Sequence, residues 1–227
     1  MSANFLTPVS TQSTPEIIAE RLRNAIAGGD LPPGAQLHET ALAEQLGVSR
    51  GPLREALQRL TQEGLLISIR NRGVFVIEMT PGRIYDMYLA RAAIERAAAE
   101  EVLRKGNSAR VVAELRLCLE EIRNAINTHD VNATTNADVK FHRTLVQLAD
   151  SPRLSRVHDT LLTETQMCIR ALETRYAFGD GRADEHESIV DALESDALSY
   201  DPDSDRRTAV DMLLVAHMSD AIERLST

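Results

Sequence analysis

The chain has no tryptophan, only 4% aromatic residues and just two cysteines in 227 residues. So few aromatics argue against a β-sandwich core. With Leu and Ala prominent in a 43% apolar composition, packed helices are the favoured architecture. Cys118 and Cys168 are far apart, lie on helical patterns and form no CxxC pair, so buried reduced thiols of a cytoplasmic protein are expected. No apolar run approaches the ~20 residues that span a bilayer. The start, MSANFLTPVSTQSTP, has neither a basic stretch nor a sustained apolar one, so no secretory leader and no membrane partner are expected. The length suffices for one large core or two small ones.

Net charge is −9, unpromising at first for a nucleic-acid partner. Its distribution is more informative. Residues 1–80 hold 7 basic and 8 acidic side chains, residues 81–227 hold 18 and 26. Within the first part, Arg50, Arg54, Arg59, Arg70 and Arg72 face only Glu55 and Glu63, a local excess of +3. A small basic face on an acidic body is compatible with DNA binding without establishing it.

Residues 1–14 are rich in Ser and Thr and read as a flexible tail. Ile17, Ile18, Leu22, Ala25 and Ile26 then recur at helical spacing until Gly28-Gly29. After the turn Leu31-Pro32-Pro33-Gly34 comes a short helix with Leu42, Ala43 and Leu46 inward, stopped by Gly47. Leu53, Ala56, Leu57 and Leu60 mark a third helix. Beyond Gly64 the period falls to two, in Leu65–Ile69 and Val74–Ile77 around the turn Arg70-Asn71-Arg72-Gly73. Three helices and a hairpin make a winged helix-turn-helix over residues 15–78. Thr80-Pro81-Gly82 falls in a linker at 79–83. From 84 to 227 the pattern is helical throughout, about 84–104, 108–127, 131–149, 153–177, 182–197 and 204–225, which predicts an antiparallel bundle. The fold class is therefore mainly α.

The segment GVSRGPLREALQRL, residues 47–60, places Gly51 and Pro52 inside an apolar helical pattern. Both fit if the helix begins at Ser49. First-turn N–H groups have no intrahelical acceptor, so proline there forfeits little, and Ser49 can cap the end. Gly51 keeps the first turn slim. Arg50, Arg54 and Gln58 recur on the face opposite the leucines, projecting two guanidiniums from an end that already favours anions. Such an end fits a major groove, with arginine forking onto guanine edges or phosphates. The ordinary alternative is a solvated face with Arg54 paired to a nearby carboxylate.

LPPGAQLHETALAEQLGVSRGPLREALQRLTQEGLL together with NRGVFV resembles the DNA-binding domain of GntR-family transcriptional regulators over about residues 15–78. The resemblance implies contacts to operator bases or phosphates from Arg50 and Arg54. It places Gly51 and Pro52, after the cap Ser49, against the DNA backbone and the wing tip Arg72-Gly73 at the minor groove. One departure is Thr40, where some relatives carry arginine.

In the acidic part, the six histidines raise the question of a metal. His38, His129 and His158 have no evident partners and read as surface or capping residues. Asp138 and His142, at i and i+4, share a helix face, and His186 and His217 lie on later helices. Three histidines and a carboxylate suit Zn, Ni, Mn or Fe, although such spacing is common without an ion. Arg91-Ala92-Ala93-Ile94-Glu95, DVKFHRTL, EHESIVDAL and a late histidine together resemble the FCD effector domain of the FadR-type GntR subfamily, over about residues 84–225. That resemblance implies Asp138, His142, His186 and His217 as ligands of a divalent metal ion, zinc first among the candidates. It also implies that Arg91 binds a carboxylate of a small organic acid effector beside the metal. The ordinary role of Arg91 is an i, i+4 pair with Glu95. The residues from His186 to His217 include SDALSYDPDSD, where relatives have a shorter connection.

These observations predict a DNA-binding transcriptional regulator and not an enzyme. It would be a homodimeric repressor on a near-palindromic double-stranded operator, released or tightened by the effector. A metal-sensing regulator, in which the ion is the signal, is the alternative. A metal-dependent hydrolase or oxygenase is a more distant one, because no general base or nucleophile motif accompanies the histidines.

Overall fold

The computed structural model describes residues 13–172, 181–204 and 207–226. The expected tail lies mostly outside the described residues, as does the end of the helix expected over 153–177. Two compact units emerge, one drawn from residues up to Ile77 and the other chiefly from Glu78 onward.

The first unit runs α1 (Thr14–Gly28), β1 (Gln36–Leu37), α2 (Glu39–Leu46), α3 (Arg50–Gln62), β2 (Leu66–Ile69) and β3 (Gly73–Val76). Leu53, Ala56, Leu57 and Leu60, the expected inner face of α3, are at most 2% exposed, and Ile18, Leu22 and Ile26 of α1 are buried as well. The sheet is antiparallel in the order β1-β3-β2, with Ile67 opposite Phe75 and Gln36 opposite Phe75 on its other side. The strand β1 was not apparent in the sequence. Its two residues follow a proline turn and carry no alternation of their own, and only pairing with β3 makes them a strand.

The second unit comprises α4 (Pro81–Lys105), α5 (Ser108–Asn127), α6 (Val131–Leu148), α7 (Pro152–Leu172), α8 (Gly181–Asp196) and α9 (Ala209–Ser226). Its boundaries are set by caps. Thr80 accepts from the Arg83 amide and Pro81 occupies the first turn of α4, so part of the stretch expected as linker is helix. Asp130 accepts from the Ala133 amide at 2.9 Å to open α6. Asp196, the last residue of α8, receives the Ala209 and Val210 amides at 3.1 and 2.8 Å and so closes the acidic connection onto the start of α9. The main core is built from Val102, Val111, Leu115, Leu119, Ile122, Phe141, Leu145, Val190, Leu193 and Leu214, among others. α5 packs on α6 and α8, while α4 packs on α6, α7 and α9. Among the described residues no helix is long and apolar enough to cross a membrane.

Candidate functional sites: an arginine-bearing helix and a buried histidine cluster

α3 begins as expected at Arg50, after Ser49 in extended conformation (φ −75°, ψ 161°), but the Ser49 side chain makes no capping hydrogen bond. The backbone shape of a cap is present without its bond. Arg50, Gly51 and Arg54 are exposed and Pro52 is half-buried. A Cβ at Gly51 would meet nothing within 4 Å, so the bare first turn faces open space. Arg54 Nε donates to Glu39 Oε2 at 2.7 Å and Arg50 donates to Thr40 Oγ1 at 3.1 Å, both partners on α2. The carboxylate pairing that is ordinary for a helix arginine is thus present. It is an exposed ion pair, which contributes at most about 1 kcal/mol, so exchanging Glu39 for a phosphate or a base edge costs little. At the other expected contact, Gly73 has φ +104°, and a Cβ there would lie 3.2 Å from Gln36 Nε2. Gln36 also donates to the Arg72 carbonyl at 2.7 Å, and the Arg72 guanidinium lies 5.8 Å from the Phe75 ring centre. The wing turn is braced by β1, with Arg72 and Gly73 exposed at its tip.

In the helical unit, α6, α8 and α9 bring His142, His186 and His217 together, with one ring nitrogen from each within 4.8 Å of the others. His142 Nε2 is 3.2 Å from His186 Nε2 and 3.2 Å from His217 Nε2. The other nitrogen of each ring meets an oxygen. His186 Nδ1 donates to the Arg182 carbonyl at 2.7 Å, His142 Nδ1 lies 2.7 Å from Glu95 Oε2, and His217 Nδ1 lies 3.2 Å from Glu185 Oε2. The Glu185 carboxyl resists its own burial because hydrogen bonds from His217 and Arg224 hold it down at about 2, so at neutral pH it can only accept. Burial likewise tends to raise Glu95, but His142 and Arg91 outweigh it and hold the carboxyl well below its usual value. An imidazole that donates its single neutral-form hydrogen from Nδ1 to such an oxygen turns a bare Nε2 toward the other two.

Bare nitrogens at 3.2 Å repel unless a proton or a cation lies among them. A proton on His186 or His142 is disfavoured, because burial and the neighbouring histidines push His186 down to about 3, and burial also lowers His142. The donor set fits a divalent cation. Two nitrogens each about 2.0–2.1 Å from a tetrahedral zinc stand about 3.3–3.4 Å apart, close to the 3.2 Å separations found. Asp138, the fourth expected ligand, borders the cluster without joining its convergent set. Its Oδ1 is 3.4 Å from His186 Nε2 and accepts from Arg182 at 3.1 Å. Burial opposes its ionisation, yet Arg182 and the histidines hold it below the ordinary carboxylate range.

Arg91 is 1% exposed, and its Nε and one terminal nitrogen both donate to Glu95 Oε1, at 3.0 and 2.9 Å. It also donates to Thr165 Oγ1 at 3.4 Å and lies 5.2 Å from the Tyr88 ring centre. The i, i+4 pairing is present, but inside the protein and not on a solvated face. His158 requires a correction. It is 1% exposed and its Nε2 lies 2.9 Å from Glu95 Oε1, so it is neither a surface nor a capping residue. Its position four residues from Leu154 and from Leu162 had placed it on the apolar face of α7, a signal present in the sequence. His38 and His129 are exposed. Glu95, Arg182 and Glu185 were not singled out as parts of the site. Only Glu95 carried a cue, as a charged residue four positions from Arg91 in an alanine-rich stretch. Cys118 and Cys168 are free and buried.

A winged helix-turn-helix and a separate all-helical domain with a buried histidine cluster define the class of two-module regulators in which one part contacts DNA. Comparison with known proteins narrows this. Residues 14–76 match the bacterial regulatory proteins of the gntR family and residues 86–199 match the FCD domain. The probable D-xylose utilization operon transcriptional repressor of Paenarthrobacter nicotinovorans is 32% identical over 83% of this chain and 80% of its own length. The gluconate operon transcriptional repressor of Bacillus licheniformis is 30% identical over 86% and 82%. In structure, the chain is similar to a putative transcriptional regulator GntR from Rhodococcus sp. RHA1, with a TM-score of 0.76 and 27% identity over 94% of this chain and 98% of that one. The chain belongs to the GntR family of bacterial transcriptional regulators and carries an FCD domain; its relatives are regulators and not enzymes.

Proposed function

We propose that the protein is an operator-binding repressor, acting as a homodimer, whose DNA affinity is set by a small organic acid bound with a divalent metal ion in the helical domain. The observation that carries the ligand half of this reading is the convergence of three bare Nε2 atoms whose Nδ1 positions are each committed to an oxygen. His142, His186 and His217 hold the ion, with Asp138 as a fourth ligand once it is released from Arg182. A bound divalent ion supplies Lewis acidity toward an anionic oxygen.

Charge balance supports an acidic effector. The pairs Arg91–Glu95, Arg182–Asp138 and Arg224–Glu185 already cancel, so among the described residues a divalent ion adds charge that these pairs leave without a counterion. A carboxylate would offset it, with Arg91 as its guanidinium partner and zinc as the first candidate metal, ahead of Ni, Mn or Fe. On the DNA side, Arg50 and Arg54 contact bases or phosphates, Ser49, Gly51 and Pro52 let the first turn of α3 approach the backbone, and Arg72-Gly73 enters the minor groove. The names of the D-xylose and gluconate operon repressors support repression as the sign of control. The effector regulates only to the extent that it binds the DNA-competent and DNA-incompetent arrangements unequally.

The test combines elemental analysis of the purified protein with operator titrations against zinc and a panel of small carboxylic acids. Retained metal, lost in His142→Ala, and an acid-dependent affinity abolished in Arg91→Ala are expected. A response to metal alone would make the protein a metal sensor, and operator binding indifferent to both would overturn the ligand half of the reading.

A further inference from the structure

Glu95 sits at the centre of the buried polar network, fully enclosed on α4. Its two oxygens have different partners. Oε1 takes Arg91 through two nitrogens and His158 Nε2, at 2.9 to 3.0 Å. Oε2 takes His142 Nδ1 at 2.7 Å. A glutamate present only to neutralise a buried arginine needs the first set and not the second. Here three elements converge on one carboxylate, with α4 supplying Arg91, α7 supplying His158 and α6 supplying His142.

We propose that Glu95 is the positioning residue of the histidine triad: its carboxylate, held from behind by Arg91 and His158, keeps His142 in the tautomer that turns Nε2 toward His186 and His217. Of the three acceptors behind the triad, the Arg182 carbonyl belongs to the backbone and Glu185 lies near the surface with Arg224 beside it. Glu95 is the buried side chain among them, and it serves the histidine that lies 3.2 Å from both others. A carboxylate behind a ligating imidazole fixes ring orientation and raises nitrogen basicity, and its loss typically lowers metal affinity about 10–100-fold. The claim about metal rests on the function proposed above; the claim about the tautomer does not.

The variant to make is Glu95→Gln. If the amide oxygen stays with Arg91 and His158, its NH2 group faces His142 Nδ1 and forces the hydrogen onto Nε2. Long-range proton–nitrogen correlation spectra of metal-free, histidine-labelled protein report that tautomer, with His142 assigned by its absence in His142→Gln. Wild type is expected to carry the hydrogen on Nδ1 and Glu95→Gln on Nε2, with zinc affinity about 10–100-fold weaker by chelator competition. His158→Asn should keep the wild-type tautomer, because Oε2 is untouched. A lower melting temperature in Glu95→Gln with unchanged tautomer and zinc affinity would reduce Glu95 to a structural counterion and overturn the proposal. If Glu95→Gln does not fold, the wild-type spectrum still decides, since an Nε2–H tautomer there is incompatible with the assignment. If wild type binds no zinc, the metal reading fails while the tautomer measurement stands on its own.

Discussion

At the scale of single residues, Arg54 of α3 and Arg91 of α4 show how one side-chain type takes opposite roles. Arg54 is 63% exposed and paired to a partly exposed Glu39, so solvent screens the pair and stability gains little from it. Arg54→Ala is expected to change the melting temperature by a degree or two, on the order of 0.5 kcal/mol. The same change should weaken operator binding by about 1–3 kcal/mol if the guanidinium reads a base. Anisotropy titration on operator DNA and a thermal melt separate the two. A lowered melting temperature with intact affinity would make Arg54 a brace between α2 and α3. Arg91 is the reverse, since its ion pair is wholly enclosed and removing one partner would strand a buried charge. Spacing alone identified the Arg91–Glu95 pair but not its burial. The i, i+4 rule says which side chains meet on a helix, not whether another helix covers them.

At the scale of elements, helix ends were legible unevenly: the stop at Gly47 was read from the sequence, while α4 starts at Pro81 inside the expected linker and α9 at Ala209 rather than at 204. Gly47 ends α2 at φ 65°, with its amide bonded back into the last turn, and a Cβ there would meet nothing within 4 Å. Gly47→Ala therefore isolates the left-handed backbone cost, about 1–2 kcal/mol, to be read from denaturant midpoints. An unchanged midpoint would mean that the turn relaxes to another geometry. On α7, Glu164 is pushed up to about 7 by burial, with Arg83 opposing and Asp86 reinforcing the shift. The folded state thus holds this proton more tightly than the unfolded chain, whose carboxyl titrates near 4.5. Stability from this group is fully present below pH 4.5 and falls as pH rises toward 7. Glu164→Gln should accordingly raise the melting temperature at pH 8, by roughly 2–4 °C per kcal/mol regained, and leave it unchanged at pH 4. An equal gain at both pH values would point to packing rather than charge. Periodicity announced α7 but not this tension, which arises from what packs over the glutamate.

At the scale of the whole molecule, the proposed metal binding would be linked to folding, because His142, His186 and His217 come from three helices and meet only in the folded domain. Zinc at 100 times its dissociation constant should stabilise the helical domain by about 2.7 kcal/mol. A calorimetric scan of wild type with zinc and with chelator should show that difference, and His142→Ala should not. An equal shift in both would place the ion elsewhere. Similarity over residues 86–199 stops short of His217, and the acidic connection before α9 left its alignment open. Asp196 caps the start of α9, and His217 Nε2 on that helix lies 3.2 Å from His142 Nε2.

The sequence by itself determined what acts within a few turns of chain. It set the glycine stop of α2, the apolar face of α3, the hairpin of the wing and the slim, arginine-bearing helix start with Arg50 and Arg54. Capping, periodicity and turn chemistry depend on neighbours three or four residues away, so they can be read without a fold. The tertiary structure decided what faces what. It made β1 a strand, buried His158, set Asp138 against Arg182, and placed Glu95 behind His142. Those facts depend on which helix covers which, and that is decided by how the apolar faces of distant segments pack against one another.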